Sequence, residues 1–312
     1  MKNAEVKPLL PNEPRQLDWE KQSHLTSQFL RPVLGELERF LLALRATLDP
    51  QLSAEFPTKA SKPYPLGQCL EISLAVKKRL EEISPGELQG DGAVAFNAIQ
   101  QFSLNGGVIR QIWGDLRGQY FQNAFLFGDL YVDVSNDTVV ATKPKVEILP
   151  FAQSNLSAIK DFYHFAQLAQ LYWKAEVFPN HLMPELAPYV PLLVRYADGE
   201  IQMLDLSKYM IMLTTSAEFQ PSYDFLSQAA MPKDVFDRVR NSLLDSGLLL
   251  PKCPEDGRKI ALTNCQRCSE DDTYGSYDQI ALVIERVLQV NAYLRLIDRA
   301  PSISHQETAE MH

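Results

Sequence analysis

Apolar residues recur every three or four positions in several segments of the chain, which is the pattern of an amphipathic helix. The first such segment covers residues 25–48, and Pro32 is expected to lie near its start or to kink it. Further helices are predicted over residues 70–80, 93–102, 162–178, 223–230, 232–246 and 279–299. The four prolines between residues 49 and 65 predict that this segment holds no long regular element.

Strand-like runs fill residues 108–134, where two or three strands are predicted with turns at Gly114, Gly118 and the dipeptide Gly128-Asp129. A second hairpin is predicted over residues 192–206, because Asp198-Gly199 separates two apolar runs. Helices followed by an antiparallel sheet indicate an α+β fold rather than a doubly wound parallel sheet.

Proline and polar clusters divide the chain into three expected parts. These are a polar arm over 1–23, a helix plus α+β core over 24–150, and a mixed, mostly helical region with a small hairpin over 151–312. Residues 222–250 have the outline of a small winged-helix unit, two helices followed by Gly-Leu-Leu-Leu. Arg238 and Arg240 could face DNA in such a unit, but acidic neighbours on both sides favour packing.

Composition narrows the classes of function. The chain has 312 residues, a net charge of -9 and a pI near 5.2, which argue against nucleic acid or an anionic membrane as the main partner. The N-terminal residues lack the apolar stretch of a signal peptide, and no apolar run approaches the ~20 residues of a membrane span. We therefore expect a cytoplasmic protein, or one exported by a route that leaves no such mark. Its four cysteines are expected to be reduced thiols or metal ligands rather than disulfides.

The strongest chemical feature is Cys69, which follows Pro65-Leu-Gly-Gln and begins a helical pattern. The dipole and free amides of a helix N-terminus favour a thiolate, the form in which cysteine acts as a nucleophile. The alternative is a packed core thiol. Three short motifs follow Cys69 in order: Gly106-Gly-Val-Ile-Arg110, Gln122-Asn-Ala-Phe125 and Tyr131-Val-Asp133.

This order of motifs, over residues 60–140, resembles the papain-like superfamily in its transglutaminase-like arrangement. The resemblance implies a helix bearing Cys69 packed on an antiparallel sheet, with Cys69 as nucleophile and Asp133 as the orienting acid. Asn123 then stands where the family carries its histidine.

Asparagine cannot accept and release a proton near neutral pH, so a simple triad is lost if Asn123 occupies the base position. Three explanations stay open: the alignment is displaced, His164 or His181 reaches the site, or the chain has abandoned this chemistry. The amide of Gln68, Gln119 or Gln122 could stabilise an oxyanion, although a structural or surface glutamine is the favoured interpretation of each.

A zinc site is considered at Cys253, Cys265 and Cys268, because Cys-x-x-Cys is half of many structural zinc sites. Only His305, Asp271 and Asp272 are near enough in sequence to add a fourth ligand, and the alternative is that these are spare thiols. We expect neither a metal nor a cofactor, since no nucleotide-binding or zinc-protease motif is present.

Three hypotheses of function follow. The first is a cysteine-dependent amide or acyl hydrolase or transferase with a degenerate triad, in which the base is unidentified or Asn123 serves only as a hydrogen-bonding group. The second is a noncatalytic relative that binds a peptide or protein partner. The third is a regulator that uses residues 222–250 as a winged-helix contact, against which the acidic charge counts. The expected partners are thus a peptide, a protein or an acyl substrate.

Overall fold

The protein is described by a computed structural model, which covers residues 8–59, 62–203, 208–295 and Ile297. The chain divides into two compact units, Met1–Ile159 and Lys160–His312. The division thus falls at residue 159, whereas the sequence places it at 150. No helix among the described residues has the length and apolar character needed to cross a membrane.

The first unit combines helices with an antiparallel sheet. Its helices are α1 (Trp19–Leu25), α2 (Leu34–Glu55), α3 (Cys69–Glu82), α4 (Gly90–Leu104) and α5 (Phe151–Ser154). Its strands are β1 (Thr58–Lys59), β2 (Lys62–Pro63), β3 (Ile109–Leu116), β4 (Tyr120–Phe127), β5 (Leu130–Asp133), β6 (Glu147–Pro150) and β7 (Leu156–Ser157). The predicted α+β class is confirmed at this level.

Pro32 interrupts the first long helical pattern, as expected. The chain passes through a π-helical turn (Thr26–Leu30) and a 3₁₀ turn (Arg31–Val33) before α2 begins at Leu34. The predicted end of this helix at residue 48 is too early, because α2 continues through Pro50 to Glu55. From there to residue 65 the described residues form only the short strands β1 and β2, in line with the proline-rich sequence. Leu44 and Leu52 keep the buried stripe in phase across Pro50, so packing outweighs the hydrogen bond that the proline removes.

The five-stranded sheet has the order β6-β5-β4-β3-β7, and every adjacent pair is antiparallel. The β3–β4 hairpin turns at Gly118 and the β4–β5 hairpin at Gly128-Asp129, as predicted. Gly128 has φ 61°, and a Cβ there would lie 2.2 Å from Thr26 Oγ1. Both the left-handed backbone and the close approach therefore require glycine.

Gly114 does not form the predicted turn, because it lies inside β3. A Cβ at this position would lie 2.2 Å from the carbonyl oxygen of Ser157 on β7, so the glycine allows two strands to approach closely. The N-terminal arm covers the same strand: Trp113 N donates to Asn12 O at 2.8 Å, and the Arg110 guanidinium donates to carbonyls of the arm. The described part of the arm, from Pro8, thus covers the stretch of β3 that β7 does not pair with, and helix begins at Trp19.

The sheet has two differently packed faces. Phe125 and Phe127 of β4 pack with the helices in one core, to which Val132 of β5 and Val134, just beyond the end of β5, also belong. The even-numbered residues Ala124 and Leu126 pack on the opposite face with Ile112 and Tyr131. This alternation decides which side chains can meet at the site described below.

The second unit is mostly helical around a small sheet. Its elements are α6 (Phe162–Trp173), β8 (Glu176–Pro179), β9 (Leu192–Arg195), β10 (Ile201–Met203), α7 (Lys208–Thr215), α8 (Gln220–Leu226), α9 (Lys233–Ser242), α10 (Pro254–Ser269) and α11 (Tyr277–Leu294). The strands form an antiparallel sheet of order β10-β9-β8, which contains the predicted Asp198-Gly199 hairpin. Residues 204–206 of that predicted hairpin lie outside the described residues.

All four helices predicted in this unit end earlier in the structure, α8 at Leu226 and α9 at Ser242. Helix α6 ends at Trp173 because Lys174 adopts a left-handed backbone, φ 54°, and residues 176–179 pair with β9 as a strand. The last begins at Tyr277 behind the Ser276 cap and ends at Leu294, while positions 296, 298 and 299 of the predicted span lie outside the described residues. Residues 248–250, predicted as the strand of a winged-helix unit, form no strand.

Candidate functional site

Cys69 is the first residue of α3, as the sequence predicts. The helix starts there because Gly67, at φ 77°, turns the chain and donates its amide to Thr138 O at 2.9 Å. Gln68, fully buried, then accepts the bond from Ile72 N through its carbonyl at 3.1 Å and donates its side-chain amide to Phe56 O at 2.8 Å. The hydrogen bonds of Gly67 and Gln68 thus fix the position of the Cys69 thiol.

The thiol is enclosed rather than presented to solvent. Cys69 is 8% exposed, its Sγ lies 3.9 Å from Phe121 O, and Asn123 Nδ2 donates to Sγ at 3.5 Å. Burial raises the pKa of the Cys69 thiol above its ordinary value, and hydrogen bonds from Asn123 and the charge of Lys59 oppose that rise only in part. The helix N-terminus therefore does not yield an acidic thiol here.

Asn123 is held between the thiol and the neighbouring strand. Its Oδ1 accepts from Gln111 Nε2 at 3.4 Å, and its backbone carbonyl accepts from the Ser73 hydroxyl at 3.4 Å. The strand register places Asn123 opposite Trp113, whose ring stacks on Phe121 at 5.6 Å with an interplanar angle of 6°. The side-chain amide of Gln111 thus donates to Asn123, and the side-chain amide of Asn123 donates to the Cys69 thiol. Neither amide can act as a base near neutral pH.

Asp133 lies on the other face of the sheet. The register pairs Phe125 with Val132, both in the helix-side core, so alternation directs Asp133 to the face that Tyr131 occupies. Asn123 has the parity of Phe125 and points to the helix side. The structure therefore brings Cys69 and Asn123 together and separates Asp133 from both.

The Asp133 carboxylate belongs to a buried hydrogen-bond cluster of its own. Its Oδ2 accepts from Gln122 Nε2 at 2.8 Å and the Tyr131 hydroxyl at 2.9 Å, and its Oδ1 accepts from Ser135 N at 2.7 Å and Ser135 Oγ at 3.1 Å. Burial raises the pKa of Asp133 to about 6, although all four bonds favour the charged form. The cluster ties β4, β5 and the segment after β5 together.

None of the three glutamines considered as oxyanion donors has an amide aimed at the thiol. Gln68 donates to Phe56 O, Gln122 donates to Asp133 on the opposite face, and Gln119 is exposed in the β3–β4 turn. The glutamine that does approach the site is Gln111. Strand alternation puts Gln111 and Trp113 on one face, but their closeness to Asn123 depends on a register that local sequence does not reveal.

The histidines have partners of their own. Within the second unit, His181 Nε2 lies 2.9 Å from Leu226 O, and its Nδ1 accepts from Met231 N at 3.1 Å. Burial lowers the pKa of His181, which keeps the ring neutral in this structural role. His164 Nδ1 accepts from Lys160 N at 3.3 Å. His305 lies outside the described residues.

The three remaining cysteines do not converge. Cys253 is the residue that precedes the first turn of α10, and Cys265 lies twelve residues later on the same helix, about 18 Å along its axis. Cys265 and Cys268 are buried, and burial raises their pKa values to about 12 and about 11. In the part of the chain that the structure describes, no group of three or more His, Cys, Asp or Glu side chains could hold a metal ion.

The two arginines of the proposed DNA contact lie on α9. The Arg240 guanidinium donates through Nε to Pro251 O at 3.0 Å, which ties α9 to the loop before α10. This contact gives Arg240 a role in packing within the second unit, where the sequence already favoured packing over DNA.

Comparison of the chain with protein-family models, with curated proteins and with solved structures found no match. The transglutaminase-like interpretation consequently depends on the residues of this chain alone.

Proposed function

We propose that the chain is a noncatalytic binding module with a transglutaminase-like core, and that its partner is a peptide or a protein. One observation carries the proposal: the thiol that an enzyme of this type would use as its nucleophile is buried, has a raised pKa and is hydrogen-bonded by an amide. An attacking thiol needs an adjacent base that removes its proton, and Asn123 does not provide one.

The position of Asp133 supports the same proposal. An orienting carboxylate must reach the group it orients, and Asp133 lies across the sheet from Asn123, engaged with Gln122, Tyr131 and Ser135. Its hydrogen bonds account for the carboxylate fully as a structural group. No catalytic role is needed to explain its burial.

A cysteine-dependent amide or acyl hydrolase or transferase is the second candidate. It is favoured by the location of Cys69 at the first residue of α3, with Asn123 Nδ2 at 3.5 Å from Sγ. In that case Asn123 would orient the thiol or donate to the substrate, and the proton would have to leave through a group not yet identified. The binding module and the enzyme predict different reactivity for the Cys69 thiol.

Alkylation of the folded, full-length chain with iodoacetamide across pH 6–10 tests the proposal, with modification at each cysteine read by peptide mass spectrometry. We expect Cys69 to react at least about 100-fold more slowly than a free thiol at every pH, because it is buried and its pKa is raised. Half-buried Cys253 serves as the internal positive control, and Cys69→Ala identifies the peptide signal.

A reaction midpoint for Cys69 well below the ordinary value of about 8.5 would overturn the proposal in favour of the enzyme. The enzyme further requires that Cys69→Ala abolish turnover of amide or thioester substrates without loss of circular dichroism signal. The binding module requires that the same substitution leave partner affinity unchanged.

A further inference from the structure

The outer edge of β3, the edge that faces away from β4, is only partly paired. Strand β7 pairs with the last two residues of β3, and no strand among the described residues pairs with positions 109–114 on that side. The amide of Trp113 points to the outer edge, where it donates to Asn12 O. Because main-chain groups alternate between the two edges of a strand, those of Gln111 also point outward, and no described residue bonds to them there. Unpaired main-chain groups at an edge are a template for another strand.

The N-terminal arm of the chain covers this edge without pairing as a strand. The arm turns at Asn12, which has a left-handed backbone with φ 60°, and Glu13 N donates back to Leu10 O at 3.0 Å. It turns again where Arg15 N donates to Glu13 O at 2.8 Å. In the described part of the chain, the arm therefore makes a single main-chain hydrogen bond to the outer edge of β3, whereas a regular strand would make several.

Two residues of β3 hold the arm by features that any extended peptide could offer. The half-buried Arg110 guanidinium donates to Glu13 O and Arg15 O, both of which are main-chain carbonyls. Gly114 leaves room for Pro14, a buried residue of the arm, since a Cβ at position 114 would lie 3.1 Å from Pro14 Cγ. Hydrogen bonds to the main chain of a peptide, together with a recess for one of its side chains, are typical of sites that bind a peptide by strand addition.

We propose that the outer edge of β3 binds an extended segment of a partner protein, which displaces the arm and adds as a strand along positions 109–114. The segment places a proline over Gly114 and presents main-chain carbonyls to Arg110, as the arm does. It also pairs with the main-chain groups of Gln111, with which the arm does not pair. The arm is then a tethered competitor that closes the site in the absence of the partner. This inference rests on the proposed binding function, for which it names the surface and the class of partner.

The test uses the full chain and a fluorescein-labelled peptide with the sequence of residues 8–18, with binding read by fluorescence anisotropy. Pro14→Asp in the chain places a charge at a buried position of the arm and so releases the arm, while the residues of β3 stay unchanged. A site that is open in one molecule of ten binds about ten times more weakly than a site that is always open. We expect the peptide to bind the Pro14→Asp chain at least about tenfold more tightly than the parent. Pro8→Asp, at an exposed residue of the same arm, is the matched control and should leave binding unchanged.

A second peptide tests whether the site prefers a strand to the arm. Asn12→Val in the peptide replaces the left-handed turn residue by a β-branched residue that favours an extended backbone. We expect this peptide to bind the Pro14→Asp chain at least about threefold more tightly than the original peptide, because it can also pair with Gln111. Its binding should slow hydrogen–deuterium exchange over positions 109–114, read by mass spectrometry. A peptide that carries Pro14→Asp should bind at least about tenfold more weakly than the original.

A pair of arginine variants locates the contact on β3. In the Pro14→Asp chain, Arg110→Met should weaken binding of both peptides about fivefold or more, because two hydrogen bonds to main-chain carbonyls are lost. Arg117→Met is the matched control, since the Arg117 guanidinium donates to Glu147 at 2.8 Å rather than to the arm, and it should have no effect. Circular dichroism melts verify that each variant is folded.

Four results would overturn the inference. Unchanged hydrogen exchange over positions 109–114 in the Pro14→Asp chain would mean that the arm is a fixed part of the fold. The second result is that neither peptide binds the folded Pro14→Asp chain, and the third is that Arg110→Met leaves binding unchanged. Weaker binding of the Asn12→Val peptide than of the original would mean that the edge fits only the arm, so that a second copy of the chain would be the occupant. The proposed function fails by a different readout, a reactive Cys69 in the parent chain.

Discussion

Asp133 makes the stability of the first unit depend on pH in an unusual direction. Its pKa is about 6 in the folded chain against 3.8 for an unperturbed group, because burial disfavours the charged form. Between these two values the folded state binds more protons than the unfolded state. The contribution of Asp133 is therefore present at low pH and is lost as the pH rises through about 6.

The size of this contribution to stability follows from the shift in the pKa of Asp133. A difference of about 2 units corresponds to about 3 kcal/mol in total, of which about 2 kcal/mol falls between pH 4.5 and 7. Asp133→Asn removes this proton linkage. The substitution also adds a cost that does not depend on pH, because an amide nitrogen replaces one of two oxygens that each accept two hydrogen bonds. Only the pH dependence of the difference in unfolding free energy between the parent and Asp133→Asn therefore tests the raised pKa.

Urea denaturation at pH 4.5–8 measures this difference. Both proteins carry Trp173→Phe, so that fluorescence reports on Trp19 and Trp113 of the first unit. We expect the stability of the parent relative to Asp133→Asn to fall by about 2 kcal/mol from pH 4.5 to 7 and to stay level above pH 7. Asp91→Asn is a control that should give a nearly flat difference over this range, since Arg39 lowers the pKa of Asp91 and its contribution is lost only as the pH falls below the ordinary value of 3.8.

A difference that is flat with pH, or that rises, would refute the reasoning. It would mean that Asp133 is solvated or compensated by a positive charge in the folded chain, so the buried cluster with Gln122, Tyr131 and Ser135 would be wrong.

Two further substitutions test the packing around the site. Arg45 is completely buried and donates to both carboxylate oxygens of Asp137, at 3.1 and 3.2 Å. Arg45→Met should therefore lower the free energy of unfolding, measured by urea denaturation, by about 3–5 kcal/mol. The double variant with Asp137→Leu should recover much of this loss of stability. An unchanged midpoint for Arg45→Met would contradict a buried ion pair. Gly114→Ala should lower the free energy of unfolding by about 1–3 kcal/mol, because its methyl group meets Ser157 O. Gly92→Ala in α4 has only ordinary contacts and should be neutral or stabilising. Equal effects of the two substitutions would contradict the close approach of β3 and β7.

The sequence predicts the elements whose signals are local. Helix α3 begins at Cys69 as expected, and the hairpins at Gly128-Asp129 and Asp198-Gly199 form because these dipeptides favour tight turns. Helix α10 was missed although its signal is also local. Pro254 stands at its first position, with Glu255 and Asp256 in its first turn, which is a typical helix start.

Features that depend on distant residues could not be read in this way. Gly114 resembles a turn glycine until Ser157, 43 positions later, is seen against it. Pro50 resembles a helix breaker because the stabilising contacts of Leu52 lie in a core that forms only in the folded unit. The burial of Cys69 likewise arises from Asn123 and Phe121 on β4, so no local property of the helix start reveals the thiol's pKa.

The parity of β5 bears directly on the choice between enzyme and binding module. A carboxylate that orients a group at position 123 must project from the helix side of the sheet, and the residues of the β5 segment with that parity are Val132 and Val134. Both are buried and apolar, and a charged side chain at either position would be desolvated in the helix-side core. A triad at this site would thus require a histidine for Asn123 and also a buried carboxylate for one of these valines. Because two positions rather than one would have to change, the packing of the whole sheet face favours the proposed binding module over the enzyme.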